Sequence, residues 1–235
     1  EDDLALHFPN AVIKRMDLDT TRSKNAYAEI INDFENRKID VLIGTQMLSK
    51  GLDFDNVTLV GIMDADMLLN RPDFRAFERS FQLMTQVAGR AGRKEKRGKV
   101  IIQTGQIDHW VIQKVINHDF IGFYKDEIIE RENFYYPPYY KMIVITVKHV
   151  SEQVLNVAAH EFASNLRNVF KERVLGPEFP IIKKIQNLFL KEIKIKYEKS
   201  LSDIKIKERL QALLTEFYSK PQNKSVRVVI DVDPI

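Results

Sequence analysis

Apolar positions along the 235 residues follow two different rhythms. In the first half, short unbroken apolar runs are separated by longer stretches of helical spacing. Residues 11–16, Asp40-Val-Leu-Ile-Gly44, residues 57–63 and Val100-Ile-Ile-Gln-Thr104 read as strands. Those without alternation are strands buried on both faces. Between them, Tyr27, Ile30, Ile31 and Phe34 recur three and four apart and predict a helix over 24–36. Phe74, Phe77, Phe81, Met84 and Val87 mark a second helix, running from about Pro72 to the arginine-rich stretch that ends at Arg93. Helices over 109–117 and 119–132 follow. Strands alternating with helices predict a largely parallel, doubly wound sheet.

The rhythm changes at Phe134-Tyr-Tyr-Pro137-Pro138-Tyr-Tyr140, where the double proline stops any helix. Beyond it we expect a strand over 141–150, an amphipathic helix over 151–171 and a turn near Leu175-Gly-Pro177. A hairpin of 181–185 with 188–197, a helix over 201–218 and a strand over 225–232 complete the series. The order βαββαβ is the ferredoxin-like arrangement. The expected organisation is therefore an α/β domain over 1–134 and a smaller α+β domain over 135–235.

Composition narrows the class. An apolar fraction of 44% with 29% charged residues fits a soluble globular protein. The longest apolar run, residues 142–147, is too short to span a bilayer. Glu1-Asp2-Asp3 is acidic where a secretory signal would be basic, so the reading is a cytoplasmic protein. With no cysteine, disulfides and thiol-ligated zinc are excluded. A net charge of +3 is too small to argue nucleic-acid binding alone.

Candidate chemistry centres on Gln86-Val-Ala-Gly89-Arg90-Ala-Gly92-Arg93. On a helix, Arg90 and Arg93 would share a side with Gln86. Gly89 and Gly92 leave room for a phosphate or a backbone. Two readings stand: an arginine finger on a transferring phosphoryl group, or a helix C-cap whose basic residues complement the dipole. Gly44-Thr45-Gln46-Met47-Leu48-Ser49-Lys50-Gly51-Leu52-Asp53-Phe54 leaves a strand with hydroxyl, amide and ammonium donors that suit a phosphate backbone, or is an ordinary strand-to-helix connection. The loop Asp17-Leu-Asp19-Thr20-Thr21-Arg22 leaves another strand at the edge where α/β sheets bind ligands. Asp64-Ala-Asp66 invites a metal, although capping and loop solvation explain it better.

The aromatic cluster at 134–140 either stacks bases or packs the domain boundary, and packing is favoured. Lys183, Lys184, Lys191, Lys194 and Lys196 do not fall on one stripe of the hairpin, so a solvated sheet surface is the default. No histidine sits at a metal spacing, and no nucleophile elbow or P-loop is present.

Taken together, these motifs resemble motifs V and VI of superfamily 2 helicases. The wording of Gly44-Thr45-Gln46-Met47 with Lys50-Gly51 and Asp53-Phe54, of Asp64-Ala-Asp66, and of Pro72-Asp-Phe-Arg75-Ala with Glu78-Arg79 is similar to one family: the primosomal protein N′ (PriA) replication-restart helicases. Asp17-Leu-Asp-Thr-Thr-Arg22, Tyr136-Pro-Pro138, Leu175-Gly-Pro177 and Asp231-Val-Asp-Pro234 resemble further landmarks of that family. The resemblance covers essentially the whole chain.

It implies a RecA-like second helicase lobe over 1–134 and a C-terminal domain that contacts DNA and partners over 135–235. The whole protein would be an ATP-dependent 3′-to-5′ DNA helicase that recognises stalled or branched forks and restarts replication. Arg90 and Arg93 would act on the ATP phosphates, with Gln86, Gly51 and Asp53 near the nucleotide. Thr45, Gln46, Lys50, Thr21 and Arg22 would face the DNA backbone. ATP and Mg²⁺ would be held mainly by the other lobe, and zinc by cysteines upstream. Expected partners are branched and single-stranded DNA, single-stranded-DNA-binding protein and other primosome proteins, with the protein a monomer and no membrane involved. Without the Walker motifs, this stretch alone is expected to be inactive. Leu52 departs from the polar residue expected there. The rival reading is a DNA-binding and partner-docking module whose helicase motifs are relics.

Overall fold

The structure is a computed structural model that describes residues 2–17, 24–45, 57–91 and 98–234. The chain divides into two compact units, Glu1–Tyr124 and Lys125–Ile235.

The first unit carries a short helix that the sequence pattern did not predict, α1 (Asp2–His7). Strand β1 (Ile13–Met16), helix α2 (Lys24–Glu35) and strand β2 (Val41–Gly44) follow, with β1 and β2 paired in parallel. Met16 is fully buried against Leu42 and the predicted stripe Tyr27, Ile30, Ile31 and Phe34. Strand β3 (Leu59–Ile62), helices α3 (Ala65–Leu69) and α4 (Ala76–Ala88), and strand β4 (Lys99–Ile102) come next. β3 and β4 are also parallel partners. Among the described residues the parallel pairing is thus present as two separate two-stranded sheets.

Helices α5 (Trp110–Ile116) and α6 (Phe120–Asn133) close a second core. Phe81 of α4 stacks on Phe123 with ring centroids 4.2 Å apart, and Trp110 stacks on Phe123 at 5.4 Å. α4 starts four residues later than expected. Pro72 lies outside it, and Asp73 organises the entry by accepting from the Arg75 N–H at 3.0 Å and from Arg79 Nη1 at 2.6 Å. The division between units falls inside α6, ten residues before the boundary that the double proline suggested.

The second unit has longer elements. Strand β5 (Tyr140–His149), helix α7 (Glu152–Phe170), strands β6 (Val174–Glu178), β7 (Lys184–Ile185) and β8 (Leu188–Glu198), helix α8 (Asp203–Ser219) and strand β9 (Arg227–Val232) form one antiparallel sheet carrying two helices. Its order is β6-β8-β5-β9, with β7 paired to β8. Strict alternation sends Ile143, Ile145 and Val147 of β5, and Ile193, Ile195 and Tyr197 of β8, to the face covered by the helices. α7 answers with Leu155, Ala158, Ala159, Phe162, Ala163, Leu166 and Phe170, whose small residues let helix and sheet approach. Phe162 meets Phe217 of α8 at 4.8 Å.

One expectation fails here. The segment read as a turn at Leu175-Gly-Pro177 is strand β6, paired to β8 with a register shift between Leu175 and Glu178. Gly176 has φ +87, and an added Cβ would lie 2.6 Å from the Glu192 carbonyl oxygen. That glycine permits the irregular pairing, because only a residue without Cβ takes this backbone so close to a neighbouring strand. The expected strand at 181–185 shrinks to the two residues of β7.

Candidate functional site

The arginine stretch does not sit on one continuous helix. α4 ends at Ala88, and Gly89 is right-handed (φ −65, ψ −5), with its N–H donating to the Thr85 carbonyl. The Arg90 N–H donates to the Val87 carbonyl at 3.0 Å and that of Ala91 to Ala88 at 3.1 Å, so the chain leaves the helix through tight turns. Gln86 is exposed on the last helical turn, and Arg90 is half-buried just beyond it. The helix on which Arg90 and Arg93 were expected to share a side thus stops before Arg90. Gln86 and Arg90 thus flank the end of α4 four residues apart in sequence, and both side chains carry N–H donors. Arg93 lies outside the described residues.

Thr45 is exposed directly after β2. Gly44 is the register partner of Met16, so the loops after β1 and β2 leave the same edge of the parallel pair. This is the edge where α/β sheets collect ligands. Asp17, at the start of the first loop, is buried and ion-paired with Arg15. Thr21, Arg22, Gln46, Lys50, Gly51 and Asp53 lie outside the described residues.

The β3–β4 pair has the same geometry, and there the donors are visible. Asp64 is left-handed (φ 51) and caps α3 by accepting from the Met67 N–H at 3.2 Å. Asp66 accepts from Thr104 Oγ1 at 2.5 Å and from the Gly105 N–H at 2.7 Å, which tie the end of β3 to the end of β4. The Thr104 hydroxyl, then the Gly105 amide, hold the Asp66 carboxyl below its ordinary range. His109 caps α5, its Nδ1 accepting from the Val111 N–H at 3.2 Å. The sequence reading missed Gln103, Thr104 and Gly105, which answer the two aspartates. Their signal was a polar run at the exit of a buried strand. Among the described residues no group of three or more His, Asp or Glu is placed to hold a metal ion.

In the second unit Lys183 and Lys184 are exposed, as a solvated surface would have them, but Lys191 and Lys196 are not. Lys191 is 7% exposed, with Nζ 4.7 Å from the centre of the Phe179 ring. Lys196 Nζ donates to the Phe134 carbonyl at 2.7 Å and lies 3.4 Å from the centre of the Tyr136 ring. Burial, helped by Lys194, pushes its ammonium down to about 8. Tyr136 of the aromatic cluster is thus engaged by a lysine, and Tyr135 meets Tyr140 edge to face at 4.9 Å. No helix among the described residues is long and apolar enough to cross a membrane.

Comparison with known proteins matches this arrangement to two family models in succession. Residues 5–95 match the helicase conserved C-terminal domain, and residues 132–235 match the primosomal protein N C-terminal domain. The first defines the class: a helicase lobe of mixed α/β structure. Curated relatives then narrow it. The replication restart protein PriA of Bacillus subtilis (strain 168) is 40% identical over 236 residues, covering 100% of this chain and 29% of the relative. That of Synechocystis sp. is 38% identical over 234 residues, covering 99% and 27%. That of Chlamydia pneumoniae is 37% identical over 235 residues, covering 97% and 30%. The chain belongs to the PriA family of replication restart proteins and corresponds to its C-terminal part. It spans less than a third of the length of these relatives.

Proposed function

We propose that this chain is the second motor lobe and terminal domain of an ATP-dependent, 3′-to-5′ DNA helicase of superfamily 2. The whole protein recognises stalled or branched forks and restarts replication through primosome assembly. The observation that carries this reading is the succession of a helicase C-terminal domain and a primosomal C-terminal domain along one chain. In it, residues 1–134 form the RecA-like lobe, with its strands in one doubly wound sheet, and residues 135–235 a ferredoxin-like domain. The order β6-β8-β5-β9 supports the latter assignment.

ATP is the substrate, and Mg²⁺ accompanies it, held mainly by the partner lobe of the motor. Gln86 and Arg90, exposed and half-buried at the end of α4, fit a polyphosphate by their donors. Arg90 and Arg93 act as arginine fingers, offsetting charge that develops on the transferring phosphoryl group. Gly51 and Asp53 lie beside the nucleotide and couple it to DNA. Thr45, Gln46 and Lys50, with Thr21 and Arg22, hold the DNA backbone. Loops leaving one edge of the β1–β2 pair support this grouping. Single-stranded-DNA-binding protein and other primosome components dock on the whole protein, which works as a cytoplasmic monomer.

The test is Arg93→Ala in the full-length protein. DNA-stimulated ATP hydrolysis falls by about 10³-fold, the scale of a removed arginine finger. Activity within tenfold of the parent removes that role.

A further inference from the structure

The turn between β6 and β8 carries more than a connection needs. The segment from Phe179 to Lys191 holds three lysines and no acidic residue. It projects Ile181, Ile182 and Ile185 at 73%, 62% and 51% exposure. β7 and β8 are joined by the two residues Gln186 and Asn187, Gln186 with φ 54, and Leu190 N–H donates to the Lys183 carbonyl at 2.9 Å. Ile185 therefore stands on a hydrogen-bonded hairpin, and Ile181 and Ile182 on the bend that leads into it. Its base is anchored, since Phe179 and Phe189 both pack on the core of the second unit. Those rings position the charges: Lys183 and Lys191 lie 5.5 and 4.7 Å from the centre of the Phe179 ring, and Lys184 lies 4.7 Å from that of Phe189. Ammonium groups drawn onto aromatic faces lose conformational freedom and point where the rings hold them.

We propose that this hairpin is a nucleic-acid wedge, in which Ile181 and Ile182 press against an unstacked base step at a strand junction while Lys183 and Lys184 take the flanking phosphates. An exposed apolar pair with cations beside it is the chemistry by which proteins open or kink base steps, the lysines offsetting phosphate charge as the aliphatic groups replace stacking. A segment of one charge sign complements a polyanion. The proposal rests on the DNA-handling reading above and adds to it a residue-level contact outside the motor motifs.

The test titrates the 235-residue chain with forked and single-stranded DNA at two salt concentrations, with 2-aminopurine at the fork junction. Lys183→Gln/Lys184→Gln weakens binding to both DNAs about tenfold and makes the salt slope shallower by about 1 to 2. Ile181→Ser/Ile182→Ser keeps single-strand affinity within about threefold but abolishes the rise in 2-aminopurine emission on fork binding. These side chains are exposed, and unchanged thermal unfolding of the variants confirms intact folding. If the parent binds the fork and both variants match it in affinity, salt slope and emission, the wedge is wrong while the helicase reading stands. Loss of binding only to anionic phospholipid vesicles, with fork binding intact, assigns the hairpin to a lipid surface and likewise overturns the wedge. A parent chain that binds neither DNA overturns the wedge and the DNA contacts given to this chain, and leaves the Arg93 ATPase measurement as the separate test of the motor role.

Discussion

The two units of this chain spend their apolar residues differently. In the second, strands of ten and eleven residues and helices of nineteen and seventeen converge on a single cluster that runs from Ile143 to Val226. In the first, the strands have four residues each, and the described core is split between a cluster around Phe81 and Met84 and a smaller one around Met16. The candidate motif residues belong to the first unit: Thr45 directly follows a short parallel strand, and Gln86 and Arg90 stand at the end of α4. Long antiparallel pairing lets a unit bury its own surface. Short strands ending together at one edge place loops where a ligand can reach them. One unit is built for cohesion, the other to present side chains.

That contrast can be broken most directly at its cores. Phe162→Ala should cost about 4 kcal/mol, since the side chain is fully buried between α8 and the sheet and its cavity cannot collapse. Denaturant unfolding followed by hydrogen exchange at β5 and β8 amides measures it. Arg131→Met should cost about 3 kcal/mol, because it removes the guanidinium 2.9 Å from Glu127, which is 5% exposed, and leaves a buried carboxylate to be solvated. Met84→Ala, in the thinner core of the first unit, should cost about 2 kcal/mol by the same methods. A larger loss at Met84 than at Phe162 would reverse the comparison.

The smallest effect is the most diagnostic. Lys196 has a folded pKa near 8 against an ordinary value of 10.5. Between those values the unfolded chain binds the extra proton, so stability rises with pH across this window. Chemical denaturation of the parent and Lys196→Met at pH 7.5 and 9.5 should show the parent gaining on the variant. Parallel profiles would mean that the Tyr136 face and the Phe134 carbonyl compensate the burial of the charge in full.

How much was legible varied with the physics behind each element. The α2 stripe of Tyr27, Ile30, Ile31 and Phe34 was read correctly, because its side chains meet one buried partner, Met16. The alternation of β5 and β8 was equally plain, since one face is covered and the other is not. β6 was missed because glycine and proline are turn formers by local preference, and only pairing with β8 makes the segment a strand. α4 was drawn too long at both ends. Apolar spacing ran back to Phe74 and the arginine stretch was drawn onto the helix, while the hydrogen bonds of Asp73 and the turns after Ala88 set its limits.

The candidate site divides in the same way. Gln86, Arg90 and Thr45 could be named from residue type and motif wording, as could the family to which they belong. That the ends of β1 and β2 meet needed the fold, since Met16 and Gly44 are far apart in sequence and side by side in the sheet. The same holds for Asp66 and Thr104. Lys191 and Lys196 carry the same side-chain chemistry as the exposed lysines of the hairpin, and sequence alone treats them alike. Only the fold sets Lys191 on the Phe179 ring and Lys196 on the Tyr136 ring. The chain by itself determined most of the longer helices and strands, because apolar periodicity acts over neighbouring residues. Burial of a charge and the meeting of distant strand ends arise from contacts across the fold, and those the tertiary structure alone decided.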